Sequence, residues 1–444
     1  MWAQTFSGGS GTQDDPWLIS STADLYAIDE LMNTGTETYS PTVGKYFLLT
    51  QDIDDAFFGM IGTEWAFHGH FDGGGHCINL GIERRYESYV GLFGTVSQGS
   101  VRNLAVRGRV TGKAYVGGIV SNPTNGAVLE NLLNMADVQA VSNSVMASVG
   151  GVAGFIVSQR GQAGVTVRRC ANLGTISSPG GCVGGVIGYS GQQVGNHLSA
   201  LANYGNIVAE ASDQMRVGSV VGNPLYDDDV TELLGVAVVS SNTISGCMGN
   251  SNPETQSRLF YDAQLCPSQV EIPAQKRLTR QLTGTQMSSS LTASEWVFAD
   301  GMLPRPNMGG LEQRPEMLLF ATPPVLADDD YIQNIASPLF LNTDSGIEWT
   351  AANGTLAIGN DGHATVMKGG DDVLTATIGG TVSRNISIST VAPDGIAPAA
   401  GGPSGDADMT VDLLGRSHAR QTAVPDRLTG PGIYVRNGKK YLSR

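Results

Sequence analysis

Apolar residues in the middle of this chain fall in short runs bounded by glycine, and the runs return at a near-constant interval. Val116-Gly117, Val149-Gly150, Val183-Gly184 and Val217-Gly218 are separated by 33, 34 and 34 residues, and Val90-Gly91 lies 26 residues ahead of the first. After each step come a turn and an apolar stretch with an asparagine: Asn103 in Val101–Leu104, Asn131 in Leu129–Leu132, Asn172 in Cys170–Leu173, Asn203 in Leu201–Tyr204. The runs are too short for helices and rich in Val, Ile and Leu, which predicts strands. A fixed period of this size predicts a solenoid, each repeat one β-coil of roughly 30 residues stacked on its neighbours. Asn103, Asn131, Asn172 and Asn203 are expected to form a ladder of amides from coil to coil. A β-sandwich with Gly-rich hairpins is the alternative, and the regular period argues against it.

The flanks predict other elements. Ser20–Leu25 reads as a helix start, capped by Ser21 or Thr22 with Asp24 in the first turn, an apolar stripe of Ile28, Leu31 and Met32, and an end at Gly35. A solenoid needs its first coil covered, so residues 1–45 are assigned as an N-terminal cap. Tyr46–Asp54 reads as a strand, and Phe71–His76 as a tight turn into the next coil. Residues 46–320 comprise the repeats and a closing segment. Residues 323–392 hold short strands, the first at Ser337–Leu341, separated by Asn-Gly, Asp-Gly and Gly-Gly turns, the pattern of a small sandwich. Residues 393–408, with Pro393, Pro398 and Pro403, read as a linker, and 409–444 as a short β tail.

Composition agrees with an all-β chain. Its 59 glycines are about 13% of 444 residues against a usual ~7%, and helix formers are sparse. The net charge of −15 disfavours nucleic acid and anionic membrane as partners. That charge is uneven: residues 88–222 carry four acids (Glu130, Asp137, Glu210 and Asp213) against eight Arg or Lys, and 411–444 is basic. No stretch is long and apolar enough to span a membrane. Met1–Gln4 has neither the basic nor the apolar region of a signal peptide and reads as a stub beside a cleavage site. The five cysteines match no metal-site spacing; in an oxidising compartment Cys170 with Cys182, or Cys247 with Cys266, are the pairs to test, and buried core thiols are the alternative.

Candidate chemistry is sparse. Asp52 and Asp54 share a strand face and Asp72 lies nearby, an oxygen-rich group that could hold calcium; solvated turn acids are the simpler reading. His68, His70 and His76 are a conceivable zinc set, against a turn-packing role. A glycoside hydrolase needs two carboxylates across the scissile bond, and the four acids of the coils are scattered. Trp17 and Trp65, in the aromatic-rich entry region, are candidates to stack on sugar or dock protein.

Several motifs carry a resemblance. Gly11-Thr12 with Asp15–Ser20, Tyr46–Asp54, Phe71–His76 and Tyr89–Gly94, followed by Phe260–Gln264, Leu282–Met287 and Trp296–Met302, resemble the exported GLUG-repeat proteins of Bacteroidetes-type bacteria over residues 6–310. The last repeat, 217–246, departs from that pattern, with Asn223-Pro224 and Asp227–Asp229 in place of the usual turn. The Trp349–Ile358 and Gly362–Val366 segments resemble bacterial Ig-like domains, and Val411–Arg416 with Gly432–Lys440 resembles a type IX secretion sorting tail. The resemblance implies an all-β, exported protein: a parallel β-helix-like solenoid with a capping helix, an Ig-like β-sandwich and a β tail. It implies an adhesin-like or ligand-binding surface scaffold without catalysis, no cofactor beyond possible calcium, and as partners a glycan or protein ligand and the export machinery. A β-helix polysaccharide lyase or hydrolase, and a structural spacer or surface-layer component, are the rivals.

Overall fold

The computed structural model describes residues 6–313 with breaks at 37–39, 192–193, 210–215, 237–238, 241–245, 251–252, 264–273, 278–280, 283 and 299–302; it describes 347–391 with breaks at 360–363 and 379–380, and elsewhere short strands between 318 and 337 and between 410 and 443. Contacts divide the chain into units at 1–396 and 397–444.

The first unit is built on a parallel β-solenoid of about seven turns, with very little helix. Strands Tyr46–Leu49, His70–Asp72, Ser100–Gly117, Val128–Ala140, Thr166–Asn172, His197–Asn203, Asp229–Gly235 and Thr255–Asp262 form one stack, every neighbour parallel and in register. A second stack contains Phe93–Ser97, Val120–Thr124, Ala153–Ile156, Ile187–Ser190 and Val221–Asn223. At the corner between them the register aligns Val90, Val116, Val149, Val183 and Val217. All five valines are buried in the core. Gly91, Gly117, Gly150, Gly184 and Gly218 follow, where a Cβ would fall within 3.0 Å of neighbouring backbone.

The first stack has two inward columns, and their spacing needs explanation. Phe47, Phe71, Val101, Leu129, Val167, Leu198 and Val230 form one column; Leu104, Leu132, Cys170, Leu201, Leu233 and Leu259 form the other. All thirteen are buried. They stand three residues apart, which strict alternation forbids. The intervening residue resolves this: Asn103, Asn131, Arg169, Ala200, Glu232 and Arg258 all have φ between 52° and 59°. One left-handed residue per coil bulges the strand and returns the next side chain to the core.

That bulge corrects the expected asparagine ladder. Asn103 and Asn131 occupy the left-handed column, where Asn131 Nδ2 donates to Asn103 Oδ1 at 2.7 Å and Asn103 Nδ2 to Asp72 Oδ1 at 3.0 Å. The buried ladder comprises Asn134, Asn172 and Asn203, each amide donating to the next at 2.7 Å. Asn131 sits three residues from its true counterpart, because the bulge shifts parity inside the same strand.

Thr22–Met32 forms a helix with Ser21 as N-cap and a capping box closed by Asp24; Leu25, Ile28 and Met32 are buried, and the helix ends at Asn33 rather than Gly35. Asp24 takes donors from Ser7, Ser20 and Ser21, tying the entry loop to the helix start. Strands Ile347–Ala351, Gly370–Ile378 and Thr381–Thr390 pair antiparallel, with a hairpin of Leu356–Ile358 and Ala364–Val366 and a small core of Leu356, Leu374 and Ile388. The expected strand at Ser337–Leu341 lies outside the described residues beyond its first position, as does the 393–408 linker. The second unit contains a four-stranded antiparallel sheet of Thr410–Asp412, Ser417–His418, Gly432–Arg436 and Lys439–Ser443.

The segment after the coils does not simply close their end. It runs back along the outside of the first stack. An outward column of Cys77, Ala105, Leu133, Ala171, Ala202, Leu234 and Phe260 is buried beneath Leu282, Met287, Leu291, Trp296, Leu303, Met308 and Leu311, a second core distinct from the interior one. The Tyr204 hydroxyl donates to the Pro304 carbonyl, and Trp296 Nε1 donates to Glu232 Oε2 at 2.9 Å.

Candidate functional site

Where the first stack meets the second, the outer surface carries a row of aromatic rings. Tyr89 and Tyr115 lie 4.9 Å apart between centroids, Tyr115 and Phe155 4.6 Å, Phe155 and Tyr189 5.1 Å. The steps match the ~4.8 Å spacing of paired strands, so the coil stacking itself sets the row. Tyr115, Phe155 and Tyr189 are half-buried and Tyr89 is 41% exposed. None belongs to either hydrophobic core.

Two of these rings are held at a conformational expense. Tyr89 and Tyr115 have φ of 63° and 56°, a region that bulky residues rarely enter and that costs about 1–3 kcal/mol. The bulge turns each ring outward immediately before the buried Val-Gly step. Ser121 Oγ donates to the Tyr115 carbonyl at 2.5 Å and fixes that conformation. Burial, together with the neighbouring Tyr115, pushes the Tyr89 phenol above its usual pKa, so it stays neutral at physiological pH.

Beside the row is an open hollow of about 620 Å³, lined by Arg85, Tyr86, Lys113, Ser142 and Asn143 among others. Tyr86 is 94% exposed. Tyr86 and Tyr89 share strand Cys77–Val90, and Lys113 and Tyr115 share strand Ser100–Gly117. Arg85 Nε pairs with Glu83. Among the described residues Lys113 has no carboxylate within ion-pairing distance.

The residues singled out in the sequence are placed elsewhere. Asp52 Oδ1 accepts from the Cys77 amide at 3.0 Å and pairs with His76 at 3.2 Å; Asp54 pairs with Arg107 at 2.7 Å; Asp72 Oδ1 caps the Gly74 amide at 2.8 Å. These carboxylates act separately, each on its own turn or strand. His70 stacks on Tyr46 and meets Ser100, His76 sits with Asp52, and the three histidines do not converge. Burial lowers the pKa of both His68 and His70. Among the described residues no three His, Cys, Asp or Glu side chains are grouped to hold a metal ion. Trp17 stacks on Phe6 at 4.8 Å and packs on Phe47, with Lys45 over its ring, so its faces are engaged within the entry region. Trp65 is half-buried. Cys77, Cys170, Cys182 and Cys247 are buried free thiols, the core-thiol alternative in place of a Cys170–Cys182 pair; Cys266 lies outside the described residues. Burial raises Cys170 and Cys247 to about 12 and Cys182 to about 11, so none is a reactive thiolate at neutral pH.

One charged cluster escaped the sequence reading. Glu130 and Glu295 are bridged by Arg168 and Arg169: Arg169 Nη2 to Glu130 Oε1 is 2.6 Å, Arg168 Nη2 to the same oxygen 3.2 Å, Arg168 Nε to Glu295 Oε2 3.6 Å and Arg169 Nη1 to Glu295 Oε2 3.8 Å. Glu232, buried, takes Arg258, Thr292 and Trp296. Glu295, Thr292 and Trp296 come from the returning strap, the others from the coils. Both carboxylates are ion-paired to the same two guanidinium groups. The cluster is a charge-matched seam that holds the strap down.

No family model matches the chain. A candidate Gly-rich membrane protein of Evansella cellulosilytica is 35% identical over 145 residues, 29% of this chain and 16% of that one. Halomucin of Haloquadratum walsbyi is 30% identical over 167 residues, 27% of this chain and 2% of that one. The alignments therefore span a small fraction of either relative. Among solved structures, a candidate immunoglobulin A1 protease from Bacteroides ovatus matches with a TM-score of 0.50 at 16% identity, over 68% of this chain and 95% of that one. At that identity the likeness is one of fold. Among the described residues no helix is long and apolar enough to cross a membrane.

Proposed function

We propose that this protein is an exported, non-catalytic surface scaffold of adhesin-like character that presents the outside of its solenoid to a ligand. The observation that carries this reading is the four-ring aromatic row on the outer surface, which stands outside both cores and includes two tyrosines in a disfavoured backbone conformation. Bulky aromatic side chains held at such positions on the outside of the coils, in neither core, are a pointer to function. A stacked-coil surface suits extended contacts. The relatives, one described as a Gly-rich membrane protein and one as halomucin, support a location outside the cell or at its surface. We read Thr22–Met32 as the cap of the first coil, 323–392 as an Ig-like spacer and 409–444 as a sorting tail, in the manner of the GLUG-repeat proteins the sequence resembles.

The absence of catalysis is part of the proposal. In the Glu130–Glu295 cluster, the place in the described residues where two carboxylates share partners, arginines neutralise both acids. The test is to screen the purified chain on an array of glycans and matrix proteins, reading retention and any soluble product together. Retention without product supports the scaffold. Release of product makes the chain a carbohydrate-active enzyme or protease and overturns it.

A further inference from the structure

We infer that the row Tyr89–Tyr115–Phe155–Tyr189 and the adjoining hollow at Arg85 and Lys113 form one site for a linear polysaccharide bearing carboxylate groups. This rests on the scaffold reading above and names the ligand class of that same surface. Three observations carry it. First, the rings repeat at 4.9, 4.6 and 5.1 Å along the stack, so the platform is regular and extended. Rings overlapping at this spacing turn their faces to one another and their electropositive edges outward, and a linear polymer of repeating pyranose units meets several successive edges with its hydroxyl and carboxylate oxygens. Secondly, the hollow beside it offers Lys113, the Tyr86 phenol, Ser142 and Asn143, with Arg85 alongside in its pair with Glu83: a cation with no carboxylate in ion-pairing distance among the described residues, next to hydroxyl and amide groups that suit a carboxylated, hydroxyl-rich ligand. Thirdly, the charge is local. The whole chain carries −15, yet residues 83–222, which contain both the row and the hollow, hold ten Arg or Lys against six acids. The coils bearing the row are the part of a repulsive molecule that an anionic polymer can approach.

The geometry also divides the work. The rings supply contact area insensitive to salt, whereas Lys113, on the outside, supplies attraction that salt screens. A neutral polymer with the same backbone keeps the first contribution and loses the second.

Polygalacturonate and its fully methyl-esterified form make the direct comparison, because esterification removes the charge and leaves the sugar chain. With the full-length protein we expect polygalacturonate to bind about tenfold more tightly than the ester at low salt, and raising the salt to narrow that gap. Lys113→Gln should abolish most of the gap and leave ester binding unchanged. Phe155→Ser with Tyr189→Ser should weaken both polymers by about tenfold or more. At the left-handed positions Tyr89→Asn and Tyr115→Asn are the variants to use, since asparagine tolerates that backbone. The polymer–ester comparison needs no variant and so stands whatever the variants' stability. Equal binding of the two polymers overturns the anionic ligand, while ring-dependent retention of neutral glycans leaves the scaffold reading intact. Retention of matrix proteins alone overturns the polysaccharide inference and keeps the scaffold. Unchanged binding in the Phe155→Ser, Tyr189→Ser chain at unchanged melting temperature overturns the site.

Discussion

Asn203 fits because Gly185 lies across from it. A Cβ on Gly185 would sit 2.1 Å from the Asn203 side-chain Cγ, and Gly151 and Gly118 stand in the same relation to Asn172 and Asn134, 2.4 Å from each Oδ1. In the next coil both partners change: Gly235 pairs with Asn203 in register, and Ser219 replaces the facing glycine, 2.5 Å from a Cβ on Gly235. One side chain fills the space per coil, on either wall. Gly235→Asn alone should therefore clash with Ser219 and destabilise the chain by about 1–3 kcal/mol. Ser219→Gly alone leaves a small void. The double substitution should recover most of the loss and extend the buried amide ladder by a rung, a coupling that thermal melts in a double-mutant cycle can read; additive effects would contradict it. The repeating asparagine was visible in the sequence. Which asparagine was not, because Asn131 and Asn134 share one strand and the left-handed bulge at 131 decides which faces in.

Asp372 makes a second case at this scale. Burial acts to raise its pKa, but donors from the Thr355, Asn353 and Val373 amides and the Thr355 hydroxyl outweigh it and hold the carboxyl at about 2 against 3.8 unperturbed. A folded pKa below the unfolded one stabilises fully above 3.8 and ceases to do so as pH falls through about 2. Hydrogen exchange of residues 347–391, corrected for intrinsic rates, should show steady protection from neutrality to about pH 4 and a decline below it. Asp372→Ala should lose about 1–3 kcal/mol at neutral pH and flatten that acid slope; an unaltered slope would contradict the assignment.

Among the elements, the returning strap is the one least legible beforehand. Its signal was nonetheless present: Leu104-Ala105, Leu132-Leu133, Cys170-Ala171, Leu201-Ala202, Leu233-Leu234 and Leu259-Phe260 are consecutive apolar pairs at each repeat. A strand with neighbours apolar on both faces is covered on both faces, and the closing segment is the available cover. The strands, the capped helix start and the Val-Gly corners were readable because period and capping chemistry are local. The strap was not, since its partners lie up to two hundred residues away. Trp296 anchors it, buried and donating to Glu232. Trp296→Ala should cost about 3–5 kcal/mol locally and open 282–311 to limited proteolysis while the coils stay protected. Simultaneous cleavage of coils and strap would mean that the two form a single cooperative unit.

For the whole molecule, the proposed binding surface arises from stacking alone. Tyr89 and Tyr115 precede their Val-Gly steps, whereas Phe155 and Tyr189 follow theirs by six residues, so no linear motif joins them. Turning the chain at the corner brings the two pairs into one row, which is why the sequence pointed instead to Trp17 and Trp65 in the aromatic-rich entry. The relatives and the fold neighbour bear on the scaffold; the ligand rests on this row. The most direct measurement runs one glycan and matrix-protein array in parallel with the wild-type chain and the Phe155→Ser, Tyr189→Ser variant, checked to melt alike, and assays the wash for released product. The account predicts retention of the wild type, loss of retention in the variant and no product in either. Equal retention of the two chains, or product in the wild-type wash, would contradict it.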